Sequence, residues 1–154
     1  MKYFVGTYEN KIDSKGRVSL PSAFRDVLRI NNSNNFYLFP SPTQDSLEAG
    51  GEDLIDFIAK SIEQNAPMFS QDEETYNYIL ANARPCSFDS TGRFVLPEEF
   101  SQFASLSGNA LFVGNGKRFQ IWQPLAYHNA TNGRREQFAS RGLTIKNPDG
   151  GNDD

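Results

Sequence analysis

The apolar and polar residues of this chain alternate in a way that predicts short strands and helices in a repeated order. In the first third, strands are expected over residues 8–12 and 17–20, a helix over residues 22–30, and a turn followed by a strand over residues 34–40. Further along, strands are expected over residues 85–88, 93–96 and 118–122, a helix over residues 98–105, and a turn with a strand over residues 108–114. The order strand, turn, strand, helix, strand therefore occurs twice.

Between the two runs the pattern changes to helical spacing. Apolar residues at positions 54, 55, 58, 59 and 62 form one stripe and predict a helix over residues 52–62. A second helix is predicted over residues 71–83, and residues 41–51 are predicted to form a loop. After residue 138 the chain becomes polar, so residues 138–154 are expected to be a disordered tail.

The repetition extends to residue identity. Residues 13–24 and residues 89–100 align at a constant offset of 76, and seven of the 12 positions are identical. The shared residues spell Asp-Ser-x-Gly-Arg-x-x-Leu-Pro, followed by a shared Phe. Unrelated segments of this composition would share about one position, so an internal duplication explains the match.

Each copy of the motif has a local interpretation. The Asp-Ser-x-Gly segment is turn chemistry, because Asp bonds nearby backbone N–H groups and Gly supplies a positive φ. We expect Gly16 and Gly92 to have no role beyond the turn. The strands on either side of each turn are predicted to pair as a β-hairpin. Pro21 and Pro97 end the second strand and suit the first position of a helix.

Charge is unevenly distributed along the chain. The overall net charge of −4 argues against indiscriminate binding of nucleic acid. Residues 1–30 carry six basic and three acidic side chains, a net charge of +3. Residues 41–80 carry one basic and nine acidic side chains (−8), and residues 117–146 carry six basic and one acidic (+5). We expect the acidic middle to be solvated or to contact another subunit.

Composition narrows the possible chemistry. Of the 154 residues 38% are hydrophobic and 13 are Phe, which suits a globular domain with an aromatic core. The one cysteine, Cys86, is expected to be a small buried apolar side chain. Because His128 is the one histidine, no metal site and no cofactor are expected. No phosphate loop, nucleophile motif or histidine-centred constellation is present, so an enzyme is not expected.

Targeting signals are also missing from the pattern. The first eight residues become polar too quickly for a signal peptide, and no segment approaches the roughly 20 apolar residues that cross a bilayer. A cytoplasmic location is therefore expected.

The duplicated Asp-x-x-Gly-Arg-x-x-Leu-Pro motif resembles the MraZ family of bacterial transcriptional regulators. Two further segments fit the pattern of that family, Phe4-Val5-Gly6-Thr7-Tyr8 and Gly114-Asn115-Gly116-Lys117-Arg118-Phe119-Gln120-Ile121-Trp122. The resemblance implies an α+β fold in which two tandem AbrB-like β-hairpin and helix modules form a pseudo-symmetric small barrel. The modules correspond to residues 1–51 and 84–137, with connecting helices over residues 52–83 and the tail over residues 138–154.

The resemblance also implies a sequence-specific regulator that binds double-stranded DNA at direct repeats in a promoter. Relatives act upstream of the division and cell wall gene cluster that begins with their own gene, and they assemble into rings. The implied location is the nucleoid in the cytoplasm, and no small-molecule substrate or membrane partner is implied. The candidate DNA-binding residues are Asp13, Lys15, Arg17, Asp89, Arg93 and Lys11.

Two interpretations of the motif arginines stay open on the residues alone. In the first, Arg17 and Arg93 contact DNA, since a guanidinium binds two acceptors at once and a two-stranded ribbon fits the major groove. In the second, each arginine pairs with the aspartate of its own turn and fixes the turn. Thr91 stands where the first copy has Lys15, so the copies are expected to contribute unequally.

The basic residues after position 130 also allow two interpretations. Arg134, Arg135 and Arg141 form either a second basic patch or the solvated face of a helix. The chain as a whole is either a DNA-binding regulator or a non-catalytic interaction or antitoxin-like module with the swapped-hairpin fold. The short tail, which we expect to lack hydrophobic anchors, argues against the second. A chain of net charge −4 must align several subunits on DNA to gain useful affinity.

Overall fold

The computed structural model describes residues 2–30 and 33–150. The first copy of the motif lies in β1 (Thr7–Lys11), β2 (Arg17–Ser19), α1 (Ser22–Arg29), β3 (Asn35–Pro40) and β4 (Leu47–Gly50). Two helices follow, α2 (Glu52–Asn65) and α3 (Gln71–Asn82). The second copy lies in β5 (Arg84–Ser87), β6 (Arg93–Val95), α4 (Glu98–Phe103), β7 (Asn109–Gly114) and β8 (Phe119–Trp122). Helices α5 (Pro124–Thr131) and α6 (Arg134–Arg141) complete the described chain.

The strands form two antiparallel sheets, so the fold is α+β. The larger sheet has six strands in the order β1-β7-β8-β4-β3-β5, and the smaller is a two-stranded ribbon of β2 and β6. The order of the larger sheet has two ends, at β1 and β5. Among residues 2–30 and 33–150, the strand order shows no closed barrel, so the small barrel that the resemblance implied is not confirmed.

The prediction that the two strands around each turn pair as a hairpin is wrong. β1 pairs with β7, with Tyr8 opposite Phe112, and β5 pairs with β3, with Cys86 opposite Phe36. β2 and β6 pair with each other. The strands on either side of each turn therefore pair with strands of the other copy, while β3 with β4 and β7 with β8 pair within one copy. Local spacing identifies a strand, but the choice of partner depends on which apolar faces can be buried together.

The main core lies between the six-stranded sheet, the ribbon and the helices α1 and α4. It is rich in phenylalanine, as the composition predicted. The ring centroids of Phe24 and Phe119 are 5.0 Å apart, and those of Phe36 and Phe94 are also 5.0 Å apart at a nearly perpendicular angle. Each of these rings is at most 2% exposed, and each buried ring contributes about 1.5–3 kcal/mol of hydrophobic stabilisation.

A second apolar cluster attaches α2 and α3 to the opposite side of the sheet. Side chains alternate along β3, so Phe36 and Leu38 face the main core while Phe39 faces the helices. Phe39 packs with Leu54 and Ile58 of α2. The helical stripe predicted for the middle of the chain is therefore a real packing surface.

Three predicted boundaries need correction. Residues 41–51, predicted to be a loop, contain β4, which lies in the centre of the sheet between β3 and β8. Helix α5 was not predicted. Helix α6 extends to Arg141, so the first residues of the predicted disordered tail are helical. Residues 151–154 of that tail lie outside the described residues.

Candidate nucleic-acid interface

Asp13 organises the turn that joins β1 to β2. Its Oδ1 accepts hydrogen bonds from the backbone N–H groups of Lys15 and Arg17, at 2.9 and 2.8 Å. Its Oδ2 accepts a hydrogen bond from Arg17 Nε at 2.7 Å. Arg17 therefore pairs with the aspartate of its own turn, as the second interpretation of the motif predicted. Because this ion pair uses Nε, it does not occupy the two terminal nitrogens of the guanidinium.

The turn between β5 and β6 has the same backbone pattern but a different arrangement of side chains. The Thr91 hydroxyl donates to Asp89 Oδ1 at 2.7 Å and accepts from Arg93 Nε at 3.1 Å. Arg93 Nε then lies 3.5 Å from Asp89 Oδ2, against 2.7 Å for the equivalent pair in the first turn. Thr91 thus comes between the aspartate and the arginine, so the two turns differ in geometry, and the unequal contribution of the copies to binding stays a prediction.

Both turn aspartates are held in the charged form. The backbone N–H of Arg17 is the main cause that lowers the pKa of Asp13 below its ordinary value. For Asp89 the hydrogen bond from the Thr91 side chain comes first, and with the backbone N–H of Arg93 it lowers the pKa to about 2. At neutral pH each turn therefore holds a carboxylate beside its arginine.

The ribbon of β2 and β6 fixes the direction in which the arginines point. Val18 and Phe94 lie opposite each other in the ribbon and are only 1% and 2% exposed. Because side chains alternate along a strand, the residues on either side of these two point away from the core.

The outward face of the ribbon carries both motif arginines. Arg17 lies opposite Val95, and Arg93 lies opposite Ser19. The two arginines are therefore diagonal neighbours, with Cα atoms about 7–8 Å apart. Next to both of them Val95 is 57% exposed. Two residues that are 76 positions apart in sequence share one small surface.

The two candidate lysines occupy different places. Lys15 is exposed in the first turn, next to the ribbon. Lys11 is also exposed, but it ends β1 and lies opposite Asn109 in the larger sheet. The structure therefore brings together Asp13, Lys15 and Arg17 in one turn and Asp89 and Arg93 in the other, and it places Lys11 on the adjoining sheet.

The two turn glycines are not equivalent. Both adopt a positive φ, +79° at Gly16 and +88° at Gly92, as the turn requires. A Cβ atom on Gly16 would meet nothing closer than the Leu96 carbonyl oxygen at 3.6 Å. A Cβ atom on Gly92 would lie 2.4 Å from Nη1 of Arg25. The space beside Gly92 is therefore occupied by the end of the Arg25 side chain, and the expectation that both glycines serve the turn alone stays a prediction.

Sequence reasoning did not single out Arg25. This residue lies in the first half of α1, and its side chain crosses from the first copy to the second turn. The equivalent position in the second copy, 76 residues later, is Ser101, but five positions of the aligned block also differ, so the sequence did not mark Arg25.

The acidic middle of the chain is not entirely solvated, because Glu48 is buried. Its carboxylate accepts hydrogen bonds from Arg118 Nε at 3.0 Å and from Gln120 Nε2 at 2.8 Å. Burial raises the pKa of Glu48, and these two partners oppose the effect. Glu48 lies between Leu47 and Ala49 of the main core, so its own side chain is on the other face of the sheet. It belongs to the sheet and not to the ribbon.

The remaining candidates lie away from the ribbon. All of α6 is exposed, and Cζ of Arg141 lies 5.0 Å from the centroid of the Phe138 ring. Cys86 packs against the main core, and burial raises the pKa of its thiol to about 11. Within residues 2–30 and 33–150, no three His, Cys, Asp or Glu side chains are grouped as metal ligands. No helix in the same ranges has the length and apolar character to span a membrane.

Comparison with known proteins agrees with the resemblance. Residues 79–141, which contain the second turn, match a family model described as "MraZ protein, putative antitoxin-like". The transcriptional regulator MraZ of Pelagibacter ubique is 39% identical over 124 residues, which cover 80% of this chain and 80% of that protein. The transcriptional regulators MraZ of Rhodospirillum rubrum and Xanthobacter autotrophicus are each 35% identical.

The alignments with the Rhodospirillum and Xanthobacter proteins cover nearly the full length of both aligned chains. The alignment with the Rhodospirillum protein spans 92% of this chain and 93% of the relative, and that with the Xanthobacter protein spans 96% and 97%. Identity at this level over this length confirms the relationship that the duplicated motif indicated: the chain belongs to the MraZ family.

Proposed function

We propose that this chain is a sequence-specific DNA-binding transcriptional regulator that contacts duplex DNA with the outward face of the β2–β6 ribbon. One observation carries the proposal, the diagonal placement of Arg17 and Arg93 on that exposed face. The name of the relatives, transcriptional regulator MraZ, supports the regulatory role.

The ribbon has the right shape and chemistry for the major groove. A two-stranded ribbon fits that groove, and arginine binds O6 and N7 of guanine with two parallel hydrogen bonds. Asp13 holds Arg17 through Nε, which leaves the terminal edge of the guanidinium to meet a base or a phosphate. Val95, exposed beside Arg17, offers an apolar contact for a thymine methyl group.

Electrostatics require several chains at once. Each turn pairs an arginine with a charged aspartate, so the pair itself adds little net positive charge. Lys15 and Lys11 supply the additional positive charge near the ribbon, which is small in a chain of net charge −4. Each neutralised phosphate adds about 0.9 to the salt dependence of binding, and specific binders usually make several such contacts. A homo-oligomer, which we propose to be a ring, lines up several ribbons on repeated sites.

The duplicated motif supports a pseudo-symmetric arrangement of two AbrB-like modules. β1 corresponds to β5, β3 to β7 and β4 to β8, and exchanging these pairs turns the order β1-β7-β8-β4-β3-β5 into its own reverse. The ribbon takes one strand from each copy. We propose residues 1–51 and 84–137 as the modules, with residues 52–83 as the connecting helices.

The proposed target is promoter DNA with direct repeats, upstream of the division and cell wall gene cluster and including the regulator's own gene. The family resemblance supports this choice of target. The proposal places the protein on the nucleoid, in the cytoplasm, and includes no catalytic step.

Binding to a labelled duplex of the DNA upstream of its own gene tests the proposal. We expect saturable binding that weakens steeply with salt and that is lost on a shuffled duplex of the same composition. Equal affinity for both duplexes would show that the protein does not read sequence, and no binding to either would remove the DNA role.

A second candidate function is an antitoxin-like interaction module. One structural observation favours it, because Leu143 and Ile145 after α6 are 72% and 82% exposed. These two apolar residues lie in a segment that we expected to lack hydrophobic anchors. The description of the matching family model points the same way. If Leu143→Ser with Ile145→Ser leaves DNA binding intact and abolishes binding to a partner protein, the segment serves that second role.

A further inference from the structure

The side chain of Arg25 is built into the second turn. An ideal Cβ on Gly92 would lie 2.4 Å from Nη1, 2.5 Å from Cζ and 2.7 Å from Nε of Arg25. Three guanidinium atoms therefore lie within 3 Å of the point where a Cβ on residue 92 would stand. Gly92 is buried, whereas Gly16 is only partly buried, in keeping with this proximity.

Among residues 2–30 and 33–150, the guanidinium has no ion pair at Nε. Within the same ranges, Nε of Arg25 is buried and has no hydrogen-bond partner. A buried N–H group without a partner is unfavourable, and most buried polar groups have a partner. Arg25 as a whole is partly exposed, so the charge remains within reach of an external anion.

The arrangement exists at one turn only. The position equivalent to Arg25 in the second copy is Ser101, whose short side chain carries no charge. Conversely, the first motif carries the charged Lys15 at the position where the second motif has the neutral Thr91. The first turn therefore has its own extra cation, and the second turn receives one from helix α1 of the other copy.

We propose that Arg25 is a further DNA-contacting residue, which binds a backbone phosphate beside the second turn and replaces the charge missing at Thr91. Gly92 acts as a positioning residue, because its lack of a side chain leaves room for the guanidinium beside the turn. A guanidinium suits this task, since it stays charged and binds phosphate oxygens with paired N–H groups. This inference rests on the proposed DNA-binding function.

The salt dependence of affinity tests the proposal, with the duplex from upstream of the protein's own gene as the probe. Arg25→Gln is expected to weaken binding by about tenfold and to lower the slope of log Kd against log salt by about 0.9 for each Arg25 that engages a phosphate. Arg25→Lys is expected to restore most of the slope, because it keeps the charge. Lys60→Gln, which removes an exposed charge from α2, is the matched control and should leave the slope unchanged.

A second measurement needs no substitution. In the wild-type protein, the ¹Hε–¹⁵Nε NMR signal of Arg25 should move on saturation with the same duplex, because the guanidinium gains a phosphate partner. If wild-type protein binds the duplex but Arg25→Gln keeps the wild-type slope, or if the Arg25 signal does not move, Arg25 is only a structural strut. If wild-type protein does not bind, both this inference and the proposed function fail.

Discussion

Arg17 of β2 lies directly opposite Val95 of β6, so the first copy of the motif supplies the charged side chain and the second copy supplies the apolar one. The relationship repeats in reverse further along the ribbon, where Arg93 lies opposite Ser19. Neither copy alone could build this face. A surface made from two copies in one chain can differ between its halves, which a symmetric pair of identical chains cannot do.

Removing the Arg17 side chain tests the ribbon directly. We expect Arg17→Ala to abolish binding to the DNA upstream of the gene while leaving the proposed homo-oligomer intact, because each proposed arginine–guanine contact is worth about 1–3 kcal/mol and every subunit of that oligomer would lose it. Fluorescence anisotropy measures the binding, and light scattering measures the assembly. Arg93→Ala should also weaken binding, and Lys60→Ala should not. Wild-type affinity of the Arg17→Ala variant for this DNA would contradict the proposal that the β2–β6 ribbon contacts DNA.

Exchanging the residues that distinguish the turns tests their inequality. Lys15→Thr should lower the slope of log Kd against log salt by about 0.9 per engaged turn, and Thr91→Lys should raise it by a similar amount. The double exchange should return the slope close to that of wild type. Salt titrations of DNA affinity supply the measurement, and two variants with slopes equal to wild type would show that these positions do not meet phosphate.

The hydroxyl of Thr91 controls the acidity of Asp89. The pKa of Asp89 is about 2, below its ordinary value of 3.8. The Asp89 carboxylate therefore binds a proton less readily in the folded protein than in the unfolded chain. The carboxylate therefore stabilises the fold above pH 3.8, and this contribution is lost as the pH falls through about 2.

We expect Thr91→Val to raise the pKa of Asp89 toward its ordinary value, because the largest cause of the shift is removed. Thr91→Ser, which keeps the hydroxyl, should leave the value low. Carboxyl NMR titration reports both, with Asp13 as the internal reference. An unchanged titration of Asp89 in Thr91→Val would assign the shift to the backbone N–H groups instead.

The two glycines give a matched pair for stability. Gly16→Ala and Gly92→Ala should each lose about 1–2 kcal/mol of unfolding free energy, since both positions are in the left-handed region. Only Gly92→Ala also displaces the Arg25 guanidinium. Urea unfolding should therefore show coupling between Gly92→Ala and Arg25→Ala, and additive effects for Gly16→Ala with Arg25→Ala. Equal coupling in both pairs would contradict the contact.

Much of this protein could be predicted because its signals are local. The turn chemistry of Asp13 and Gly16, the proline that opens α1 and the helical stripe of α2 depend on neighbours a few residues away. The duplication itself is a comparison of the chain with itself. These features indicated the elements, the candidate site residues and the family.

Partner choice could not be predicted in the same way. β2 and β6 are three residues long, and pairing with the nearest strand is the local expectation. The observed pairing lets Val18 and Phe94 bury their side chains under one ribbon, which is a gain that arises only when both copies fold together. The position of β4 follows the same logic, because its short, weakly strand-like segment is held by a partner on each side.

The sequence by itself determined that the chain carries two copies of one arginine-bearing turn, because the repeat is visible from residue identity and spacing alone. Only the tertiary structure decided that Arg17 and Arg93 share a face, that Arg25 covers Gly92, and that Glu48 is buried. Each of these depends on contacts between segments far apart in the chain. Such contacts form because they bury apolar surface, and this driving force does not depend on how close two residues are in the sequence.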